Sequence, residues 1–249
     1  MYRIKQEKPS QDFEQAWLSA RRFLAQKGGE GLKWIRCDLN LPMAEHLSFI
    51  IGNQLFFVFV ESAEVDLKNY QKLFLNACSQ ANATPCLMPM RKRIASYETV
   101  AYGWGLVNAI TGDLVDPFEM VSDELIEMTD WELHDFAIRV VVTLLEEEGF
   151  NVFSKQSEFN IDPSIWFEDD GTIFWVVVRA ARHPQKKAEK PENIDKISEF
   201  CMNREGYFAS VFVINSDDPL DLEPTSNDSR LPLYRGHGMF VDYDGLEKL

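Results

Sequence analysis

Apolar and polar positions along this chain follow two rhythms, and the same succession of rhythms occurs twice. Residues 12–27 place Phe13, Ala16, Trp17, Ala20, Phe23 and Leu24 at three- and four-residue spacing, and residues 130–148 do the same with Trp131, Phe136, Ile138, Val141, Val142 and Leu145. Each pattern predicts an amphipathic helix. Ser10 precedes the first as a candidate N-cap, and Thr129 stands three residues before Glu132, the spacing of a capping box. After Gly31 and Gly149 the rhythm becomes that of strands: LKWIRCDL and FNVFSKQSEF, then a hairpin turning at Gly52-Asn53 or at Asp169-Asp170-Gly171. The return strands, LFFVFVESA (55–63) and IFWVVVRAA (173–181), are almost wholly apolar, which predicts central strands covered on both faces. A second helix (67–80; 192–204), another apolar strand (CLMPM, 86–90; SVFVI, 210–214) and a glycine-bearing line (GWGLVNAITG, 103–112; GHGMFVDYDG, 236–245) complete each half.

The two halves align without a gap at a shift of 118 residues over positions 12–63, with identities that include Asp12, Glu14, Arg21, Gly31, Phe49, Phe56, Val58, Val60 and Ala63. A loop six residues longer in the second half moves the shift to 124, and a further insertion of nine moves it to 133, which brings the glycine lines into register. Both insertions fall in polar stretches, where loops tolerate extra length. These readings predict an α/β (α+β) chain of two tandem αβββαβ-like repeats related by a pseudo-twofold axis. The first repeat would span 1–115, an acidic linker helix 116–128, and the second repeat 129–249.

Composition narrows the functional classes. The chain has 249 residues, 45% of them hydrophobic and 12% aromatic, which is ample for a core. No apolar run approaches the roughly 20 residues of a membrane helix, and MYRIKQEKPSQDFE lacks the apolar stretch of a secretory signal, so a cytoplasmic protein is expected. Cys37, Cys78, Cys86 and Cys201 form no C-x-x-C pair and predict reduced, buried thiols. His46, His134, His183 and His237 are far apart in sequence and match no metal-binding spacing, so neither a metal nor another cofactor is expected. The net charge is −15, a field that repels a phosphate backbone. Protein is therefore the expected partner class, nucleic acid is disfavoured, and a homodimer is compatible with the sequence.

The αβββαβ order resembles the core of the restriction-endonuclease-like PD-(D/E)xK superfamily. The resemblance implies an acid on the second strand and a Glu-x-Lys pair on the third, which together hold Mg²⁺ and position the attacking water. Asp162, before Pro163, stands where the first acid is expected, but Val177, Val178 and Arg179 stand in place of Glu-x-Lys. The first half has Ala44 opposite Asp162, with Phe59, Val60 and Glu61 on its third strand. What the resemblance implies is thus a nuclease scaffold without the set of oxygen ligands that Mg²⁺ prefers.

Other constellations add binding candidates rather than catalytic ones. The glycine lines lack the third glycine of a dinucleotide loop and read as strands with turns; Trp104, Asn108, Arg235 and His237 within them are candidate binding residues. RAARHPQKKAEK (179–190) is a basic cluster, with Arg179 and Arg182 placed to meet an anionic partner at the carboxyl edge of a central strand. Residues 116–135 hold eight acids and no lysine or arginine, while the acidic stretch 216–229 lacks a calcium-loop pattern. No nucleophile elbow, Walker loop or catalytic Cys–His signature appears. The leading expectation is a non-catalytic binding protein, an acidic inhibitor or immunity-type partner of a basic protein. The alternative is a divergent metal-dependent nuclease or phosphodiesterase in which Asp162, Arg179 and Glu132 or Glu146 converge on Mg²⁺.

Overall fold

A computed structural model describes residues 9–37, 39, 45–94, 96–158, 161–183, 185–202, 204–218 and 231–249. Among these the chain is mixed α/β, with four α-helices and two six-stranded sheets, and it divides into two compact units, Met1–Ile126 and Glu127–Leu249.

In the first unit α1 (Gln11–Gly28) starts where Ser10 accepts a hydrogen bond from the Phe13 amide, the predicted cap. Its apolar stripe lies on one face of a sheet ordered β1 (Leu32–Arg36), β2 (Leu47–Ile51), β3 (Gln54–Glu61), β4 (Thr84–Lys92) and β5 (Tyr97–Thr99), with β6 (Val107–Asn108) also on β4. β1, β2 and β3 form an antiparallel meander, and β3 runs parallel to β4 across the crossover helix α2 (Gln71–Gln80). Alternate residues of β3 serve opposite faces: Phe56, Val58 and Val60 join the cluster under α1, while Phe59 meets Phe74 of α2 at 5.7 Å. Full burial of side chains of this size stabilises by about 1.5–3 kcal/mol each, which fixes β3 as the central strand.

The second unit repeats this order. α3 (Asp130–Glu147) opens with the complete Thr129–Glu132 capping box. β7 (Asn151–Lys155), β8 (Ile165–Asp169) and β9 (Thr172–Arg182) form the meander, α4 (Ile194–Phe200) crosses over, and β10 (Gly206–Asn215) runs parallel to β9. β11 (Met239–Tyr243) and β12 (Glu247–Lys248) return along β10. Val176, Val178, Ala209 and Val211 face α3; Trp175, Val177 and Phe208 pack with Ile197 of α4.

Across the meander the 118-residue shift holds in detail. The β1–β2 register slips between Trp34 and Arg36, and the β7–β8 register slips between Val152 and Ser154. Leu47 faces Val58 as Ile165 faces Val176, and Phe49 stacks on Phe56 at 5.1 Å as Phe167 stacks on Phe174 at 5.2 Å.

Beyond the crossover the expected registers are corrected. Phe59 faces Leu87, whereas its counterpart Val177 faces Phe208, so the shift there is 121 rather than 124. An apolar run covered on both faces carries no parity that could fix its register from sequence. The glycine lines are not counterparts either. β6 faces Cys86 and Leu87, and the residues related to these by the new shift, Tyr207 and Phe208, face β12. The second glycine line instead supplies β11, whose sheet position matches β5. The lines share glycines because each contains turns with positive φ, at Gly103 and Gly112 and at Gly236 and Gly245.

Three element expectations also change. Residues 116–128 form turns and a bridge at Glu127 rather than a linker helix. The helix expected over 67–80 divides into a 3₁₀ turn (Leu67–Asn69) and α2, and the one expected over 192–204 shortens to α4, closed by Met202 at φ 56°.

Candidate functional site

The carboxyl end of β9 is where the resemblance places chemistry. Asp162 lies just before β8, and because β8 and β9 are antiparallel it falls opposite Arg179. The guanidinium grips both carboxylate oxygens, Nη1 to Oδ1 at 3.0 Å and Nη2 to Oδ2 at 2.6 Å, and Nη1 also donates to the Val178 carbonyl at 2.8 Å. Such a planar two-point pair is the strongest form of carboxylate–arginine contact. Two residues earlier on the same face Val177 is fully buried against α4, so that position supplies no oxygen. Cys201 lies close enough to feel the Asp162 charge, and burial above all pushes its thiol up to about 11.

The corresponding edge of the first unit is built differently. Glu61, the counterpart of Arg179, accepts a hydrogen bond from the Leu67 amide at 3.2 Å. Ala44, the counterpart of Asp162, lies outside the described residues. Its neighbour Glu45 is 1% exposed and pairs with Arg36 from the end of β1 at 2.7 Å. Burial, with a smaller contribution from the Glu45 charge, pushes Cys78 up to about 12. Cys78, Cys86 and Cys201 are buried as expected, whereas Cys37 is part-exposed.

Sequence reasoning missed a device adjacent to both edges. The His46 amide donates to the Val58 carbonyl at 3.0 Å and the Ser164 amide to the Val176 carbonyl at 2.9 Å. The Val60 amide then donates to His46 Nδ1 at 2.9 Å, as the Val178 amide donates to Ser164 Oγ at 3.2 Å. Both side chains thus accept from an amide of the central strand where the ladder has ended. The signal was present: at the 118-residue shift His46 falls on Ser164, and both can accept a hydrogen bond.

The remaining candidates do not gather with Asp162 and Arg179. Glu132 is 5% exposed on the α3 side, where it accepts from the Thr129 amide at 2.8 Å and from Arg235 at 2.6 and 2.8 Å. Glu146 is exposed in the last turn of α3, about 21 Å further along the axis at 1.5 Å per residue. Among the described residues no three histidines, cysteines or acids are grouped to hold a metal ion. The basic cluster meets the chain's own acids: Arg182 faces Asp130 at 3.0 Å and Glu127 at 3.5 Å, while Lys187 and Lys190 reach Glu247 at 3.0 and 2.6 Å. Trp104 is buried edge-on against Phe118 at 5.3 Å. Asn108 accepts from the Ile110 and Thr111 amides and so closes a turn. His237 is exposed beside Tyr234.

A further feature of the second unit was not foreseen. A cavity of about 240 Å³ opens between the end of α3, the β8–β9 hairpin and the β11–β12 connection. Phe150, Phe174, Tyr207 and Tyr243 line it, with Glu148 and Asp169 among its walls. Burial, reinforced by the Glu148 charge, pushes the Tyr243 phenol up to about 12, so it stays protonated at neutral pH.

No described helix is long and apolar enough to cross a membrane. A family model described as a domain of unknown function (DUF8840) matches residues 131–249, which begin in the first turn of α3 and run through the second unit. No curated protein and no solved structure matches the chain.

Proposed function

We propose that the chain is a tandem duplication of a restriction-endonuclease-like unit that has given up metal chemistry and serves as an acidic, non-catalytic binding protein for a basic protein. The observation that carries this reading is the Asp162–Arg179 pair. The acid that would hold Mg²⁺ is occupied by the strand residue standing where the lysine would be, and the residue expected to supply the second carboxylate is Val177. The shared meander bulge, register, aromatic stack and amide-accepting side chain support descent of both units from one ancestor.

The charge distribution supports the partner class. Lys187, Lys190, Arg179, Arg182 and Arg235 each pair with carboxylates of the chain itself, so within a net charge of −15 the cluster offers little to an anion. The enzyme alternative has in its favour that Asp162 and Arg179 meet, as it requires; it also requires a second carboxylate there, and Glu132 is engaged by Arg235. Binding of polylysine and of duplex DNA at low and high salt tests the proposal. Salt-sensitive capture of polylysine with none of DNA is expected, and preference for DNA would overturn it.

A further inference from the structure

We infer that the aromatic cavity of the second unit is an anchor site for one aromatic side chain of a partner segment flanked by lysine or arginine. This rests on the reading above that the partner is basic. At about 240 Å³ the cavity falls below the roughly 300–1,000 Å³ of small-molecule sites, which suits one side chain better than a cofactor. Its floor is aromatic, its charged walls are Glu148 and Asp169, and among the described residues no lysine or arginine lines it. Glu146 and Glu147 precede Glu148 at the carboxyl end of α3, where the helix dipole already disfavours negative charge, and the last turn holds no basic residue. A cation brought alongside would relieve that repulsion.

The first unit indicates what fills such a place. There β5 and β6 are joined by residues 100–106, which insert Trp104 and Leu106 into the core, whereas β11 and β12 are joined by residues 244–246 alone. The segment after β6 then crosses the hairpin end. Phe118 lies over Gly31, Val121 lies over Gly52, and Asn53 holds the Ser122 hydroxyl and the Glu124 carbonyl. In the first unit Phe56 is fully buried in the core that Trp104, Leu106 and Val115 complete, while its counterpart Phe174 remains part-exposed at the cavity. The strap of the first unit is acidic; a segment seated on the second unit meets acidic walls and must carry the opposite charge.

The test uses the full chain and a labelled peptide with the strap sequence of residues 114–124, synthesised with lysine at each acidic position. Fluorescence anisotropy should show it binding at least tenfold more tightly than the unaltered acidic peptide. Replacing its phenylalanine by alanine, or using Glu148→Gln/Asp169→Asn protein, should each weaken binding about tenfold. Leu144→Trp, which fills the cavity and leaves every charge in place, should do the same. Equal affinity for the lysine and acidic peptides would overturn the inference. If polylysine binds but the lysine peptide is indifferent to Leu144→Trp, the anchor site falls and the wider reading stands; if neither basic probe binds, both fall.

Discussion

The imidazole of His46 is neutral in the folded protein because burial removes the water that would solvate its charge, and its pKa falls from 6.5 to about 4. Phe13 and Phe59 pack against the ring at 5.0 and 4.2 Å, while Nδ1 accepts from the Val60 amide. Since the folded pKa lies below the unfolded one, the unfolded chain binds the proton preferentially between these values. Stability is therefore full above about pH 6.5 and falls as the pH drops towards 4, by about 3 kcal/mol at 1.36 kcal/mol per unit. His46→Ser borrows the solution used at Ser164 and keeps an acceptor for Val60. It should cost about 2–5 kcal/mol at pH 7.5 for the lost ring and abolish this residue's share of the acid limb. Denaturant unfolding from pH 7.5 to 4 measures both; an unchanged acid limb in the variant would show that His46 is not the titrating group.

At the scale of elements, the strap and the hairpins offer a paired comparison. Gly52 has φ 59°, and a β-carbon there would lie 2.7 Å from Val121 Cγ1. Gly171 in the equivalent hairpin has φ 80° and open space around it. Gly171→Ala should cost only the backbone strain of a left-handed residue, about 1–2 kcal/mol, whereas Gly52→Ala should cost more because the strap must also shift. Equal losses in thermal unfolding would mean that the strap contributes no tight packing. The hairpins, both long helices and their caps were legible in the sequence because amphipathic periodicity and capping chemistry are local signals. The strand after each crossover helix was legible as an element but not in register, since Cys86–Met90 and Val211–Ile214 are apolar at successive positions. Glycine spacing misled for a related reason: it marks where turns occur and not which strand follows. The site was legible only as far as Asp162 and Arg179. That Asp162 and Arg179 pair depends on which face of the sheet each side chain reaches, and the Glu132–Arg235 pair joins α3 to a turn far away in sequence.

For the whole molecule, Arg179, Arg182, Lys190 and Arg235 each pair with an acid of the second unit, within a chain whose net charge is −15. Under the proposed descent from a nuclease-like unit, these pairs take Asp162 and Glu132 out of any metal site. Hydrolysis is the most direct test of the proposed loss of metal chemistry. Purified protein and its Asp162→Asn variant, incubated with plasmid DNA and with RNA in the presence of Mg²⁺ or Mn²⁺, should leave both substrates intact to the same degree as buffer. Metal-dependent cleavage by the unaltered protein that disappears in the Asp162→Asn variant would contradict it.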